Sequence, residues 1–245
     1  MRYLVISDIH ANLAALASVL ADAGSFDAVW CLGDLVGYGP NPNECVERLH
    51  ELPNFSLAGN HDWAALGKLD LTSFNNDARI ASVWTQGELT PFSRSHLERL
   101  PTHGVQGGMF SLAHASPRQP VWEYVLDPLI AQRNFAYFET PFCLVGHTHI
   151  PIIFHQSSDN LNGCSILSPP YDGPVQLSTD ERMIINPGSV GQPRDGNPHA
   201  SYAILDTDAM TWEQRRVAYP IIITQERMRA RELPNRLIER LQYGR

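Results

Sequence analysis

No stretch of this sequence approaches the roughly 18 consecutive apolar residues that a membrane-spanning helix needs, and no basic segment leads into an apolar one near Met1. The chain is therefore expected to be soluble and cytoplasmic, with no membrane partner. Cysteine is scarce too. Cys31, Cys45, Cys143 and Cys164 are too few for a secreted scaffold of this length and contain no C-x-x-C pair. Cys31 and Cys143 lie inside the apolar runs "VWCLG" and "FCLVG", where a free thiol behaves as a small core residue, so a reducing compartment is expected. Positive charge is also short. A net charge of −8 argues against stable nucleic-acid binding, which relies on clustered Lys and Arg. A phosphate-handling site in so acidic a chain would need bound cations to offset its surroundings.

Several catalytic signatures are missing. There is no H-E-x-x-H, and "ALGKLD" lacks the upstream glycine and the Ser/Thr of a phosphate-binding P-loop. "PGSVG" is not the G-x-S-x-G of a serine-hydrolase elbow, and the first turn, "SDIHAN", lacks the G-x-G-x-x-G of dinucleotide binding.

What is present is an ordinary globular balance, 43% apolar and 18% charged, enough for a large core. The 245 residues suit one α/β domain or two small ones. The absence of an internal repeat or a low-complexity linker favours one domain, 1–245, with a helical extension from about 222 to 245. "RYLVIS", "FDAVWCLG", "NFSLAG", "GMFSLA" and "FCLVG" read as buried strands. Helical stretches follow three of them: "ANLAALASVLADAG", with Asn12 as N-cap and Gly24 as stop; "NPNECVERLHEL"; and the block from Trp63 to Leu100. "DPLIAQRNFAYF" is a further helix. Residues 157–175 read as a surface excursion or hairpin, and "RMIINPG", "SYAILD" and "WEQRRVAY" as strands at hairpin-like spacing. Thr224 to Arg245 reads as two helical pieces broken at Pro234. Crossovers first and antiparallel strands later predict a mixed sheet, or two stacked sheets with helices outside.

Each buried strand in the first 150 residues ends in metal-capable side chains: Asp8 and His10; Asp34; Asn60 and His61; His114; His147 and His149. In open α/β sheets the carboxyl ends of the strands meet at one crevice, so these groups are expected to converge. Setting His61 aside, two carboxylates, one amide oxygen and four imidazoles form a hard-to-borderline donor set without thiolate. Seven donors overfill one six-coordinate ion and suit two that share a carboxylate. Either aspartate could be the shared one. Such a pair of ions, roughly 3.5–4 Å apart, turns a bridging water into hydroxide and clamps phosphate oxygens.

In order and spacing, D-x-H (Asp8, His10), G-D (Gly33, Asp34), G-N-H-D (Gly59 to Asp62), a lone His after a strand (His114) and G-H-T-H (Gly146 to His149) resemble the calcineurin-like metallophosphoesterases. The resemblance runs from residue 1 to about 195. "SDIHAN", "GYGPNP", "HASPR" and "INPGSVGQPR" are similar to its small bacterial and archaeal phosphodiesterase-like branch. It implies an α/β fold, a four-layer α-β-β-α sandwich of two stacked mixed sheets. It further implies two divalent transition-metal ions, manganese first, with Fe, Zn, Ni or Co as substitutes. Asp8, His10, Asp34 and His149 would hold one ion, and Asp34, Asn60, His114 and His147 the other, making Asp34 the bridge. His61 would serve the leaving oxygen, oriented by Asp62.

Arg194, in the glycine-rich turn 186–196 whose amides could face a phosphate, Arg118 in "HASPR" and Tyr38 are candidate substrate contacts. The protein phosphatases of this superfamily carry G-D-x-V-D-R-G, and here Gly37 and Tyr38 replace the Asp and Arg. That departure argues against a phosphoprotein substrate. The expectation is in-line hydrolysis of a phosphodiester or nucleotide phosphoanhydride on a small substrate by a metal-bridging hydroxide. Non-catalytic metal-binding scaffold and phosphomonoesterase or protein phosphatase are the alternatives, and a homo-oligomer is compatible with the sequence.

Overall fold

Successive side chains of a strand face opposite sides of its sheet, so a strand apolar on both faces must be covered on both. Leu4 and Ile6 of β1 (Arg2–Ile6) enter one apolar cluster and Val5 another. The computed structural model, which describes residues 1–156 and 163–245, meets this demand with two stacked sheets and helices outside each.

From β1 the chain enters α1 (Leu13–Asp22), where the Asn12 side chain accepts the Ala15 N–H, and leaves it before the left-handed Gly24. β2 (Ala28–Cys31), α2 (Pro42–His50) and β3 (Asn54–Ser56) follow. Three helices come next: α3 (Asn60–Ala65), α4 (Asn76–Glu88) and α5 (Pro91–Glu98). The second half opens with β4 (His103–Gln106) and β5 (Phe110–Ala113), then α6 (Pro128–Asn134) and β6 (Phe142–Leu144). β7 (Pro151–Gln156), β8 (Cys164–Leu167), β9 (Val175–Gln176) and β10 (Arg182–Pro187) lead to the hairpin of β11 (Ala200–Asp206) and β12 (Thr211–Val217). α7 (Ile221–Ala230) and α8 (Asn235–Arg240) complete the order.

The first sheet runs β3-β2-β1-β11-β12-β9 and the second β4-β5-β6-β10-β7-β8. β1, β2 and β3 are mutually parallel, as are β5, β6 and β10, so their carboxyl ends open on common edges. Val5, Trp30, Phe110, Phe142, Leu144, Ile185, Leu205 and Trp212 fill the space between the sheets. Leu16 and Val19 of α1, with Val46 and Leu49 of α2, cover the outside of the first sheet. Ala131 and Phe135 cover Cys143 and Ile184 of the second. This is the α-β-β-α sandwich that the motifs imply. Cys31 and Cys143 are buried free thiols, as their apolar neighbours predict.

Two local readings differ from the structure. The edge strand β4 was not expected from "HGVQ", because it alternates half-buried and exposed residues with little apolar character. β10 is not part of a hairpin with β11: Met183 and Ile185 face the inter-sheet core and Ile184 the outer face, a burial that places it mid-sheet, between β6 and β7. Of the two readings of 157–175, the hairpin fits: β8 pairs antiparallel with β7, while residues 157–162 lie outside the described part. Pro234 does separate the last two helices, standing at the start of α8. Met228, Leu237, Ile238 and Leu241 pack with Ala78, Ala81 and Tyr38, so the extension is part of the packed structure. No helix among the described residues is long and apolar enough to cross a membrane.

Trp212 is fully buried between the sheets, its indole N–H donating to Gln214 Oε1 at 3.2 Å. Trp212→Ala should cost about 3–5 kcal/mol through the lost contacts and the cavity. A urea titration will read this as a lower midpoint at unchanged slope.

Candidate metal centre

The strand ends make their turns in a backbone region that L residues seldom adopt. Nine described non-glycine residues have positive φ, and five of them are Asp8 (53°), His10 (49°), Asp34 (55°), His147 (64°) and His149 (61°); Ala11 and Tyr38 adjoin them. Such strain persists only where the surroundings over-determine it, and it concentrates at functional sites. Here the surroundings are backbone hydrogen bonds between turns. Asp8 N–H donates to Gly33 O and His10 N–H to Asp34 O, both at 3.0 Å, while Val190 and Gly191 N–H donate to Ser7 and Asp8 O. Gly146 and Gly59 permit the close approach: a Cβ would lie 1.9 Å from Ser7 Oγ at the first and 2.1 Å from Asp34 Oδ1 at the second.

Each carboxylate is divided between scaffold and site. Asp8 Oδ2 accepts the His147 N–H at 3.0 Å, and Asp34 Oδ1 accepts the His61 N–H at 2.8 Å. Their other oxygens, Asp8 Oδ1 and Asp34 Oδ2, are buried without a hydrogen-bond partner, as is His147 Nε2. Three imidazoles are oriented by carbonyls: His10 Nδ1 on Val36 O (3.2 Å), His114 Nδ1 on Leu32 O (2.8 Å) and His149 Nδ1 on Gln192 O (2.5 Å). A carbonyl oxygen only accepts, so each Nδ1 carries a proton and, in the neutral ring, Nε2 presents a lone pair.

Those lone pairs face one another. His10 Nε2 and His149 Nε2 are 3.1 Å apart, with Asp8 Oδ1 3.3 Å from the latter. His114 Nε2 lies 3.2 Å from Asn60 Oδ1 and 3.4 Å from Asp34 Oδ2. The donors form two groups, Asp8–His10–His149 and Asp34–His114–His147. Asp34 Oδ2 reaches across to the first, 3.7 Å from His10 Nε2. Buried acceptors aimed at each other repel unless a cation lies among them. The set, imidazole and carboxylate without thiolate, fits divalent ions of the Mn-to-Zn series.

Burial pushes the pKa values of His10, His147 and His149 well down, so these rings stay neutral. Burial, with the charge of Asp34, raises Asp8 to about 7. Burial would likewise raise Asp34, but His114, His61 and His10 outweigh it and hold that carboxyl well below the usual range. For His114, burial is outweighed by Asp34 and Asp8, which raise it to about 9, so a cation entering there displaces a proton.

His61 belongs to neither group. Its ring packs against His10 (4.9 Å), Tyr38 (4.2 Å) and Phe74 (5.2 Å), and its buried Nδ1 has no partner. Burial lowers its pKa to about 4. Asp62, expected to orient that ring, instead accepts the backbone N–H groups of Asp34, Val36 and Gly59; its carboxylate ties two turns together. The 186–196 turn also differs from expectation. Four of its amides, those of Val190, Gly191, Gln192 and Arg194, are spent within the scaffold, on Ser7 O, Asp8 O, Ser189 Oγ and His149 O.

Arg194 hangs from His149 O by its own amide, its guanidinium 6.0 Å from the Tyr38 ring centroid and its buried Nε unpartnered. Arg118 is ion-paired with Glu123. Four residues here escaped the sequence reading. Phe74 lies beside His61, Trp122 beside Phe74, and Tyr124 stacks on His147. Arg240, from α8, is held to a pKa of about 10 by burial and by the Arg194 guanidinium. All four meet the site only by folding.

Stacked mixed sheets with two imidazole–carboxylate groups at their strand ends define a metallophosphoesterase-type sandwich. Residues 1–210 match the calcineurin-like phosphoesterase superfamily domain, and the chain belongs to that family. It is 41% identical to an uncharacterized protein of Methanocaldococcus jannaschii, over 98% of this chain and 97% of that one. The crystal structure of a metallophosphoesterase from Sphaerobacter thermophilus superposes with a TM-score of 0.90 at 47% identity, covering 100% of this chain and 99% of that chain. Phosphodiesterase YfcE of Escherichia coli is 24% identical over 86% of this chain and 90% of its own length.

Asp34→Ala removes the oxygen that reaches both groups. After manganese reconstitution, elemental analysis should find fewer ions per chain at both positions than in the parent protein. Retention of two ions would refute the shared role.

Proposed function

We propose that the protein is a phosphoesterase using two divalent ions to hydrolyse phosphodiester or nucleotide phosphoanhydride bonds. The observation that carries this reading is the convergence of buried imidazole and carboxylate donors into two groups, with Asp8 Oδ1, Asp34 Oδ2 and His147 Nε2 left without a hydrogen-bond partner. Asp8, His10 and His149 would hold one ion, Asn60, His114 and His147 the other, with Asp34 shared. Manganese is our first choice. The ions supply Lewis-acid polarisation of phosphoryl oxygens and acidify the attacking water toward neutral pH.

The chain's own residues do the rest. Water attacks phosphorus in line with the departing oxygen; a P–O bond forms to the water and the P–O bond to the alcohol or phosphate breaks. Arg194, its Nε unspent, faces the negative charge on the phosphoryl oxygens. His61, resting neutral, takes up a proton under the negative charge of the substrate and delivers it to the leaving oxygen. Tyr38 lies against both His10 and His61 and bounds the space the substrate can use. Arg118 acts on the substrate through the loop that its pairing with Glu123 holds.

Manganese-loaded protein should hydrolyse bis(p-nitrophenyl) phosphate, and release of p-nitrophenolate measures it. His61→Ala should keep both ions and lose turnover by about 10²–10⁴-fold, the usual worth of a positioned acid. Should the variant instead lose an ion, His61 is a ligand and not the acid.

A further inference from the structure

The loop after β5 displays aromatic rings where a charged site has no need of them. Trp122 and Tyr124 are 38% and 44% exposed, whereas nearly every donor of the centre is buried. Two ring contacts tie them to the site: Tyr124 stacks on His147 at 4.0 Å and 29°, and Trp122 meets Phe74 at 5.5 Å, which itself packs edge-on to His61. The wall therefore adjoins both the second donor group and His61.

The loop is also held firmly. Between the two rings, Glu123 points inward and takes hydrogen bonds from Ser116 Oγ (2.7 Å), Asn134 Nδ2 (2.8 Å) and the Arg118 guanidinium. The Trp122 N–H donates to Gln119 O, and the Ala115 N–H to Pro120 O at 2.8 Å. Residue 123 is thus anchored, and the residues on either side of it, Trp122 and Tyr124, each keep part of a ring exposed. Planar heteroaromatic rings stack on such surfaces at little conformational cost.

We propose that Trp122, flanked by Phe74 and Tyr124, is a nucleobase platform, and that the substrate is a nucleotide ester or anhydride whose phosphate sits at the metal centre while its base stacks on this wall. The inference rests on the phosphoesterase reading and adds the identity of the organic moiety. A sugar phosphate or an aliphatic ester offers the wall no planar aromatic ring to stack on.

Titration calorimetry of the manganese-loaded protein with adenosine 5′-monophosphate and with ribose 5-phosphate separates the two contributions. The nucleotide should bind about tenfold to a hundredfold more tightly, the usual worth of one stacked base. It should also quench tryptophan fluorescence, and Trp122→Phe should remove that quenching. Trp122→Ala, at an exposed position that touches no donor of the centre, should bring the two affinities together while ribose 5-phosphate still binds. Equal affinities in the parent protein, or a preference that survives Trp122→Ala, would overturn the platform and leave the phosphoesterase reading standing. If neither compound binds, that reading falls and this inference falls with it.

Discussion

The centre is organised by a crowding of buried acceptors that the polypeptide by itself relieves only in part, by holding a proton on His114. Asp34 Oδ2 and Asp8 Oδ1 face imidazole nitrogens whose other ring atoms are already committed to carbonyls. Buried acceptors without donors cost free energy, on the order of 1–3 kcal/mol each and more when charged. Divalent cations convert that cost into binding energy. The same charge permits an acidic protein to admit a phosphate. Asp34 matters most, because one oxygen is pinned by the His61 amide and the other can serve both groups.

Holding such an arrangement requires a rigid scaffold, and the fold supplies it through the turns. Left-handed residues at five donor positions are stabilised by hydrogen bonds from turns distant in sequence, chiefly the 188–194 stretch that links the second sheet to the first. That stretch, expected to receive a ligand, is the clasp that closes the first strand's turn onto His149. Asp62 serves similarly. Residues that look catalytic by type can be structural by geometry when their polar atoms are all spent on backbone.

Beyond the donors, the surroundings combine two chemistries. Tyr38, Arg194 and Arg240 are brought together by the C-terminal helices that pack over Tyr38. Phe74, which packs in the same cluster, meets Trp122, and Tyr124 stacks on His147. Arginine recognises phosphate oxygens and an exposed aromatic face recognises a planar ring. Those are the two kinds of contact that the proposed nucleotide would need.

The local sequence determined a good deal by itself. Apolar runs ending in Asp, Asn or His identified both the buried strands and the donors, because strand period and strand length are short-range properties. The placement of Asn12, Gly24 and Pro234 marked helix boundaries for the same reason. Tertiary structure alone decided which sheet β10 joins, since its register depends on two faces of burial that no local pattern encodes. It alone put Trp122, Tyr124 and Arg240 beside residues far from them in the chain. It also decided that the amides of 188–194 and the carboxylate of Asp62 are spent inside the scaffold. A hydrogen bond between distant turns has no trace in the residues that flank either partner; it exists only once the sheets have stacked.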